Sequence, residues 1–183
     1  MRYDAIIIGG GHSGLEKGME VLSNGGKCLI INSGPSSRRF REEGYDHASR
    51  IKAFKEAGGE FLSGEKVIRG DFKGNALKGV YTDSEEDRRY DARVFYLATG
   101  SFFTGGLYCF HNTVVEPVFR LDVDFNGGHS EWVNPDFFSP QPFMYFGVRI
   151  TGQGCALRDH QEITNLYPIG SIVSRWDDFP ADK

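Results

Sequence analysis

Gly9, Gly10, Gly11 and Gly14, with His12 and Ser13 between them, fall in the spacing G-x-G-x-x-G. The chemistry such a run can do is to cradle a phosphate. Gly9 permits a tight turn, Gly11 lets backbone approach an anion with no Cβ in the way, and Gly14 lets a helix lie close to a strand. If a helix begins here, its first N–H groups and its partial positive end face the same anion. His12 then matters through its backbone N–H more than its ring. A second turn, Ala98-Thr99-Gly100, ends the apolar run Val94 to Leu97. After the run Lys27 to Ile31, the place for an acidic ribose ligand holds Asn32-Ser33-Gly34 instead, so Asn32 or Ser33 is left to accept a sugar hydroxyl. Gly170 closes a late apolar run, Asn165 to Ile169.

Proton transfer near neutrality points to imidazole, and the candidate bases are His111, His129 and His160. Arg120 and Arg149 could hold a substrate phosphate bidentately. The three cysteines, Cys28, Cys109 and Cys155, stand apart with no CxxC. That spacing argues against structural zinc, an iron–sulfur cluster and a disulfide framework, so no metal site is expected.

The elements that must position these groups read as α/β. Tyr3 to Ile8 is a short apolar run, the pattern of a parallel strand buried on both faces. A helix over Leu15 to Ser23 follows the glycine turn, stopped by Asn24-Gly25-Gly26, and Lys27 to Ile31 forms a second strand. Strand, glycine turn, helix and strand open a doubly wound fold. After a polar loop from Asn32 to Arg41, whose Arg38, Arg39 and Arg41 make a short basic run, a helix is expected over Gly44 to Ala57 and a short strand at Glu60 to Leu62. Strands at Lys66 to Arg69, Leu77 to Thr82 and Arg88 to Asp91 make a three-stranded β-meander, and Val94 to Leu97 is a further buried strand. The chain thus divides into a nucleotide-binding domain at 1–100, a β-rich cap or subunit-interaction segment at 101–164, a returning strand at 165–174 and a polar tail at 175–183 expected to fray. Residues 152–163 read as loop.

With 183 residues the chain suits one good core. Hydrophobic residues at 39% and charged residues at 25% are ordinary for a globular protein, and a net charge of −4 provides no bulk basic field to attract nucleic acid. The apolar run at the N-terminus is too short for a signal peptide, and no stretch is long enough to span a bilayer. The expectation is a cytoplasmic protein, peripheral to a membrane only through a partner.

The joint pattern of glycine turn, meander and Ala-Thr-Gly turn resembles the two-dinucleotide-binding flavoproteins, a Rossmann-like FAD/NAD(P)-binding fold with a parallel sheet. Longer strings narrow the resemblance. Leu97-Ala98-Thr99-Gly100-Ser101-Phe102-Phe103-Thr104-Gly105-Gly106-Leu107, Glu116-Pro117 with Leu121-Asp122-Val123, and Asp136-Phe137-Phe138-Ser139-Pro140-Gln141-Pro142 with Phe146-Gly147-Val148 look like the flavoprotein B subunit of anaerobic glycerol-3-phosphate dehydrogenase. So do Asn165-Leu166-Tyr167-Pro168-Ile169-Gly170-Ser171, and Gly34, Ser36 and Phe40. That resemblance implies a flavoprotein with non-covalent FMN or FAD, serving anaerobic respiration on glycerol. It implies oxidation of sn-glycerol 3-phosphate to dihydroxyacetone phosphate with electrons passed to a quinone. Its implied partners within glycerol-3-phosphate dehydrogenase are the catalytic A subunit and the membrane-anchoring iron–sulfur C subunit. The lack of cluster cysteines here agrees with that division. The implied cofactor residues are Gly9 to Gly14, Asn32 to Gly34, Ala98 to Gly100 and Gly170. The chain is much shorter than the family and lacks most of the family's middle, which leaves a second expectation: an assembly subunit that no longer grips flavin tightly. The opening Gly-Gly-Gly-His-Ser-Gly also resembles tRNA-modifying flavoproteins. The Asp-Phe-Phe-Ser-Pro-Gln-Pro string and the absence of basic patches speak against them.

Overall fold

Ala5-Ile6-Ile7-Ile8 offers no polar side chain to water, and it becomes the centre of the sheet. A computed structural model describes residues 2–34 and 46–180. Strand β1 (Arg2–Ile8) pairs in parallel with β2 (Cys28–Asn32) on one side and with β6 (Tyr90–Leu97) on the other. Beyond β2 lies β3 (Glu60–Ser63), again parallel. Strands β4 (Val67–Lys73) and β5 (Ala76–Thr82) form the antiparallel meander with the first residues of β6, and complete the order β3-β2-β1-β6-β5-β4. The outer edge of β6 is shared. Tyr90 and Asp91 pair with β5, while Phe95 to Leu97 pair in parallel with β13 (Leu166–Pro168). The expected third meander strand and the expected strand at Val94 to Leu97 are therefore one strand. Its ladder with β1 runs from Asp91 to Leu97, and no glycine or proline breaks it.

Helix α1 (His12–Ser23) starts three residues earlier than expected, directly on the glycine turn, and ends where Gly25 takes φ +76°. Helix α2 (His47–Glu56) is capped by Asp46, whose Oδ1 accepts from the N–H groups of Ala48 and Ser49. The expected helix residues Gly44 and Tyr45, the basic run at Arg38, Arg39 and Arg41, and Ser36 and Phe40 lie outside the described residues.

Alternation along the central strands sends side chains to two cores. Ala5, Ile7, Cys28 and Ile30 pack with Leu15 of α1 and Phe54 of α2. A Cβ on Gly18 would stand 2.7 Å from the Phe54 ring, and one on Gly59 would stand 2.3 Å from it, so both glycines make room for that ring. Phe54 is fully buried, and truncation to Ala should cost about 3–5 kcal/mol. Ile6, Ile8, Leu29, Ile31, Phe95 and Leu97 face the other way. There they meet Val67, Leu77 and Val80 of the meander and Leu107, Phe119, Phe146 and Val148 of the chain beyond Gly100. Residues 101–164 thus share a core with the sheet.

That second layer is held by short ladders: β7 (Tyr108–Phe110) with β8 (Thr113–Val115), β9 (Val123–Asp124) with β10 (Gly147–Val148), and β11 (Leu157–Arg158) with β12 (Gln161–Glu162). Single 3-10 turns fill much of the rest. The segment 152–163, expected as loop, carries the last of these hairpins and buries Ala156 and Ile163. The tail also departs from expectation. Arg175 donates its backbone N–H to the Tyr145 carbonyl and its guanidinium to the Met144 carbonyl, and Trp176 packs on Phe146 and stacks on Phe179. Aromatic contact and backbone bonding hold the tail through Phe179.

Candidate cofactor site

The turn after β1 is built around absent side chains. Gly9 takes φ +107°, and a Cβ there would lie 2.3 Å from the Ala98 carbonyl oxygen. Gly9 N–H donates to the Ile31 carbonyl at 2.8 Å and Ala98 N–H to the Ile8 carbonyl at 2.7 Å. The exits of β1, β2 and β6 therefore touch, bringing the glycine turn against Ala98-Thr99-Gly100. A Cβ on Gly14 would stand 2.0 Å from the Gly9 carbonyl oxygen, so this glycine serves helix–strand packing. Gly11 differs from both: a Cβ there would meet nothing within 4 Å. Its missing side chain leaves open space instead of relieving a clash. Gly11 is also the N-cap of α1 and provides no side-chain cap, and the first helical bond runs from Leu15 N–H to the Gly11 carbonyl. Helix geometry leaves the N–H groups of the first turn without an acceptor inside the helix.

Two side chains hold this turn still. Asn32 is buried; its Oδ1 accepts from Gly10 N–H at 3.0 Å and its Nδ2 donates to the Gly34 carbonyl at 2.7 Å. His47 Nε2 donates to the Gly10 carbonyl at 2.7 Å. Asn32 was expected as a sugar ligand, but both ends of its amide bind backbone, so it braces the turn. The role of His47 was not legible in the sequence, because nothing local ties a residue at the start of α2 to a turn so far upstream.

A cleft of about 230 Å³ opens over these strand exits. Over β2 and β3 it is lined by Asn32, Ser33, Glu65 and Lys66; at its centre by Gly9 to Ser13; over β6 and β13 by Ala98, Thr99, Gly100 and Ser171. Gly34 and Gly170 are not among the lining residues. Gly170, at φ +72°, lies against α1, where a Cβ would meet Ser13 Oγ at 2.4 Å. Gly105 joins the lining, whereas Gly106 packs on the Gly100 carbonyl. Two polar atoms of lining residues, Thr99 Oγ1 and Glu65 Oε2, are buried without a hydrogen-bond partner among the described residues. Buried polar atoms are normally satisfied. An open cradle of helix N–H groups beside two orphaned oxygens fits a ligand that brings phosphate and hydroxyl groups, as a flavin nucleotide does. The residues that would hold it are Gly11, His12 and Ser13 at the phosphate, with Ser33, Glu65 and Thr99 on either side. Ligand pockets usually enclose roughly 300–1,000 Å³, so this cleft would enclose part of a flavin dinucleotide.

One wall of the cleft is stiffened from behind. Pro117 and Val118 line it, and the fully buried carboxylate of Glu116 accepts from the N–H groups of Val118 at 2.9 Å and Phe119 at 2.8 Å. Burial raises the Glu116 carboxyl above its ordinary pKa, and the backbone donors pull it part of the way back. On α1, Glu16 turns aside to pair with His12 Nε2 at 3.1 Å and is not among the cleft-lining residues.

The structure brings none of the candidate bases or phosphate-binding arginines to the cleft lining. His111 sits exposed at the tip of the β7–β8 hairpin at φ +55°. His129 packs on Trp132 at 5.3 Å. His160, at the turn of β11–β12, keeps 85% of its side chain exposed and lies 3.6 Å from Asp122. Arg120 is exposed at φ +58°, and Arg149 is committed to Asp124, with Nη2 at 2.6 Å from Oδ1. Phe137 and Phe138, expected as core or as a partner anchor, are 84% and 93% exposed, so they are not core.

The family described as FAD binding domain matches residues 42–177 of the chain, which belongs to it. The chain is thus a flavin-binding protein of Rossmann-like α/β fold and of a flavin-linked oxidoreductase class. Among curated relatives it is 33% identical to the B subunit of anaerobic glycerol-3-phosphate dehydrogenase from Yersinia enterocolitica, over 72% of this chain and 31% of the relative. To the protein of that name from Aliivibrio fischeri it is 33% identical over 88% of this chain and 37% of the relative. The chain therefore spans about a third of the length of these relatives. Their name makes each of them one subunit of a larger enzyme. Among solved structures, a thioredoxin reductase from Gloeobacter violaceus aligns over 55% of this chain and 35% of its own, at 19% identity and a TM-score of 0.45. Among the described residues no helix is long and apolar enough to cross a membrane.

Proposed function

We propose that this chain holds the flavin of an oxidoreductase that converts sn-glycerol 3-phosphate to dihydroxyacetone phosphate and sends the electrons towards a quinone. The observation that carries the reading is the meeting of the glycine turn at Gly9 to Ser13 with Ala98-Thr99-Gly100 in one cleft. Similarity to the dehydrogenase subunits named above supports the substrate. A flavin, when bound, supplies hydride acceptance; the chain's part is to fix it and to keep the cleft walls rigid. The N–H groups of Gly11, His12 and Ser13 bind its phosphate. Asn32 and His47 keep that turn in place, and Glu116 keeps Pro117 and Val118 against the cleft. Among the described residues no imidazole but that of His12 lines the cleft, and His12 is turned to Glu16. The group that takes the substrate hydroxyl proton is then supplied from outside this cleft, by a partner. By the same similarity, a catalytic partner and a membrane-anchoring iron–sulfur partner, at the cytoplasmic face, complete the assembly.

The test is to purify the chain with its partner subunits, identify the extracted flavin by mass, and add glycerol 3-phosphate without oxygen. Bleaching of the visible flavin absorbance is expected. A bound flavin that substrate never bleaches would overturn the substrate assignment. A second reading, a flavoprotein-like assembly subunit that no longer grips flavin, is favoured by the small cleft. It predicts a colourless chain that still binds its partners.

A further inference from the structure

A carboxylate at the exit of β2 is what a Rossmann site normally offers a nucleotide's ribose. Here that exit carries Asn32 and Ser33, and the Asn32 amide is spent on the turn. The cleft nevertheless contains a carboxylate, supplied by the neighbouring strand. Glu65 lies two residues beyond β3, and the Asn32 carbonyl accepts from both Gly64 N–H at 2.8 Å and Glu65 N–H at 3.2 Å. The exit of β3 is thereby tied to the exit of β2. Glu65 lines the cleft beside Ser33, and its Oε2 is buried with no hydrogen-bond partner among the described residues. A carboxylate oxygen held away from water without a donor is costly, and a ligand hydroxyl would remove that cost.

We propose that Glu65 replaces the missing β2 carboxylate and accepts hydrogen bonds from the vicinal hydroxyls of an adenosine ribose, so that the cleft selects FAD over FMN. The inference rests on the reading that flavin phosphate lies at Gly11. The geometry suits it: β2 and β3 stand on one side of β1 and the Ala98-Thr99-Gly100 turn of β6 on the other. A dinucleotide whose phosphates sit at the central turn reaches both sides. FMN, ending at its single phosphate, leaves Glu65 without a partner. Ser33, also in the lining, is placed to share the same hydroxyls.

The test is titration of the flavin-free chain with FAD, FMN and ADP, followed by flavin fluorescence and calorimetry, for the wild type, E65Q and E65A. The wild type should bind FAD more tightly than FMN. Each substitution should weaken FAD and ADP on the order of ten- to a hundredfold, the range of a charged hydrogen bond, and leave FMN within about twofold. Thermal melts of the flavin-free variants check the fold, and near-isosteric E65Q keeps the comparison valid should E65A melt early. A wild type indifferent between FAD and FMN, or an E65Q that keeps the wild-type preference, overturns the role of Glu65 alone. A wild type that binds neither flavin nor ADP removes the cleft as a flavin site, and the role of Glu65 with it.

Discussion

Placing one methyl group at Gly9 and, separately, at Gly11 should separate folding from binding. At Gly9 the added Cβ would stand 2.3 Å from the Ala98 carbonyl oxygen, and the backbone is at φ +107°. The left-handed backbone costs about 1–2 kcal/mol for a residue with a Cβ, and the steric insertion about 1–3 kcal/mol, so Gly9→Ala should destabilise by about 2–5 kcal/mol. At Gly11 the backbone is extended, at φ −75°, and a Cβ would touch nothing within 4 Å. Gly11→Ala should cost the fold about 1 kcal/mol or less, the difference between Gly and Ala at an N-cap. The same methyl would occupy the space a phosphate needs and keep it from the N–H groups of the first turn. Flavin affinity should therefore fall by on the order of tenfold to a hundredfold, the value of one or two charge-assisted hydrogen bonds. Urea unfolding of the flavin-free proteins reads the first quantity, and fluorescence titration with FAD reads the second. A Gly11→Ala protein with wild-type FAD affinity, or one as destabilised as Gly9→Ala, would refute the assignment of the open cradle.

Other positions give independent checks. Asn32→Ala leaves the Gly10 N–H without an acceptor, so it should lose about 1–3 kcal/mol of stability and also weaken flavin binding, measured in the same two assays. The pKa of Glu116 is raised on folding, so the folded protein holds its proton more tightly than the unfolded chain. Stability should then be highest below the ordinary carboxylate pKa and fall as pH rises through the raised value. In Glu116→Gln that fall should disappear, with a loss of about 1–3 kcal/mol at low pH, since the amide cannot accept all the backbone bonds; urea midpoints across the acid range decide it. Burial pushes the Cys28 thiol up to about 12, while Cys109 is exposed. Alkylation of the native protein at mildly alkaline pH should mark Cys109 first and Cys28 only after unfolding, as read by mass mapping.

Much of this architecture was legible in the residues because its signals are local. The apolar run Ala5 to Ile8, the glycines at 9, 11 and 14, and the Ala-Thr-Gly turn each carry their own steric reason, and the structure brings the two turns together. What was missed depends on contacts across the fold. Arg88 to Asp91 and Val94 to Leu97 read as two strands because Ala92 and Arg93 between them are weak strand formers, yet pairing with β1 carries the ladder through. The tail reads as polar, but Trp176 and Phe179 find Phe146 and Tyr145 only in three dimensions. Side-chain chemistry alone nominates the histidines as bases, and the sequence cannot say that His111 and His160 sit at hairpin tips. Glu65 was invisible as a ligand because its claim comes from the Asn32 carbonyl, which fixes its backbone, and from an orphaned oxygen.

The central claim is that flavin phosphate lies over the turn at Gly11 with the rest of the cofactor bridging the exits of β2 and β6. An amide NMR titration of the flavin-free chain with FAD tests it directly. The largest shifts should fall on Gly11, His12 and Ser13, with a second group at Thr99 and Gly100 and a third at Ser33 and Glu65. Binding that leaves those amides in place and moves a different surface would contradict the account.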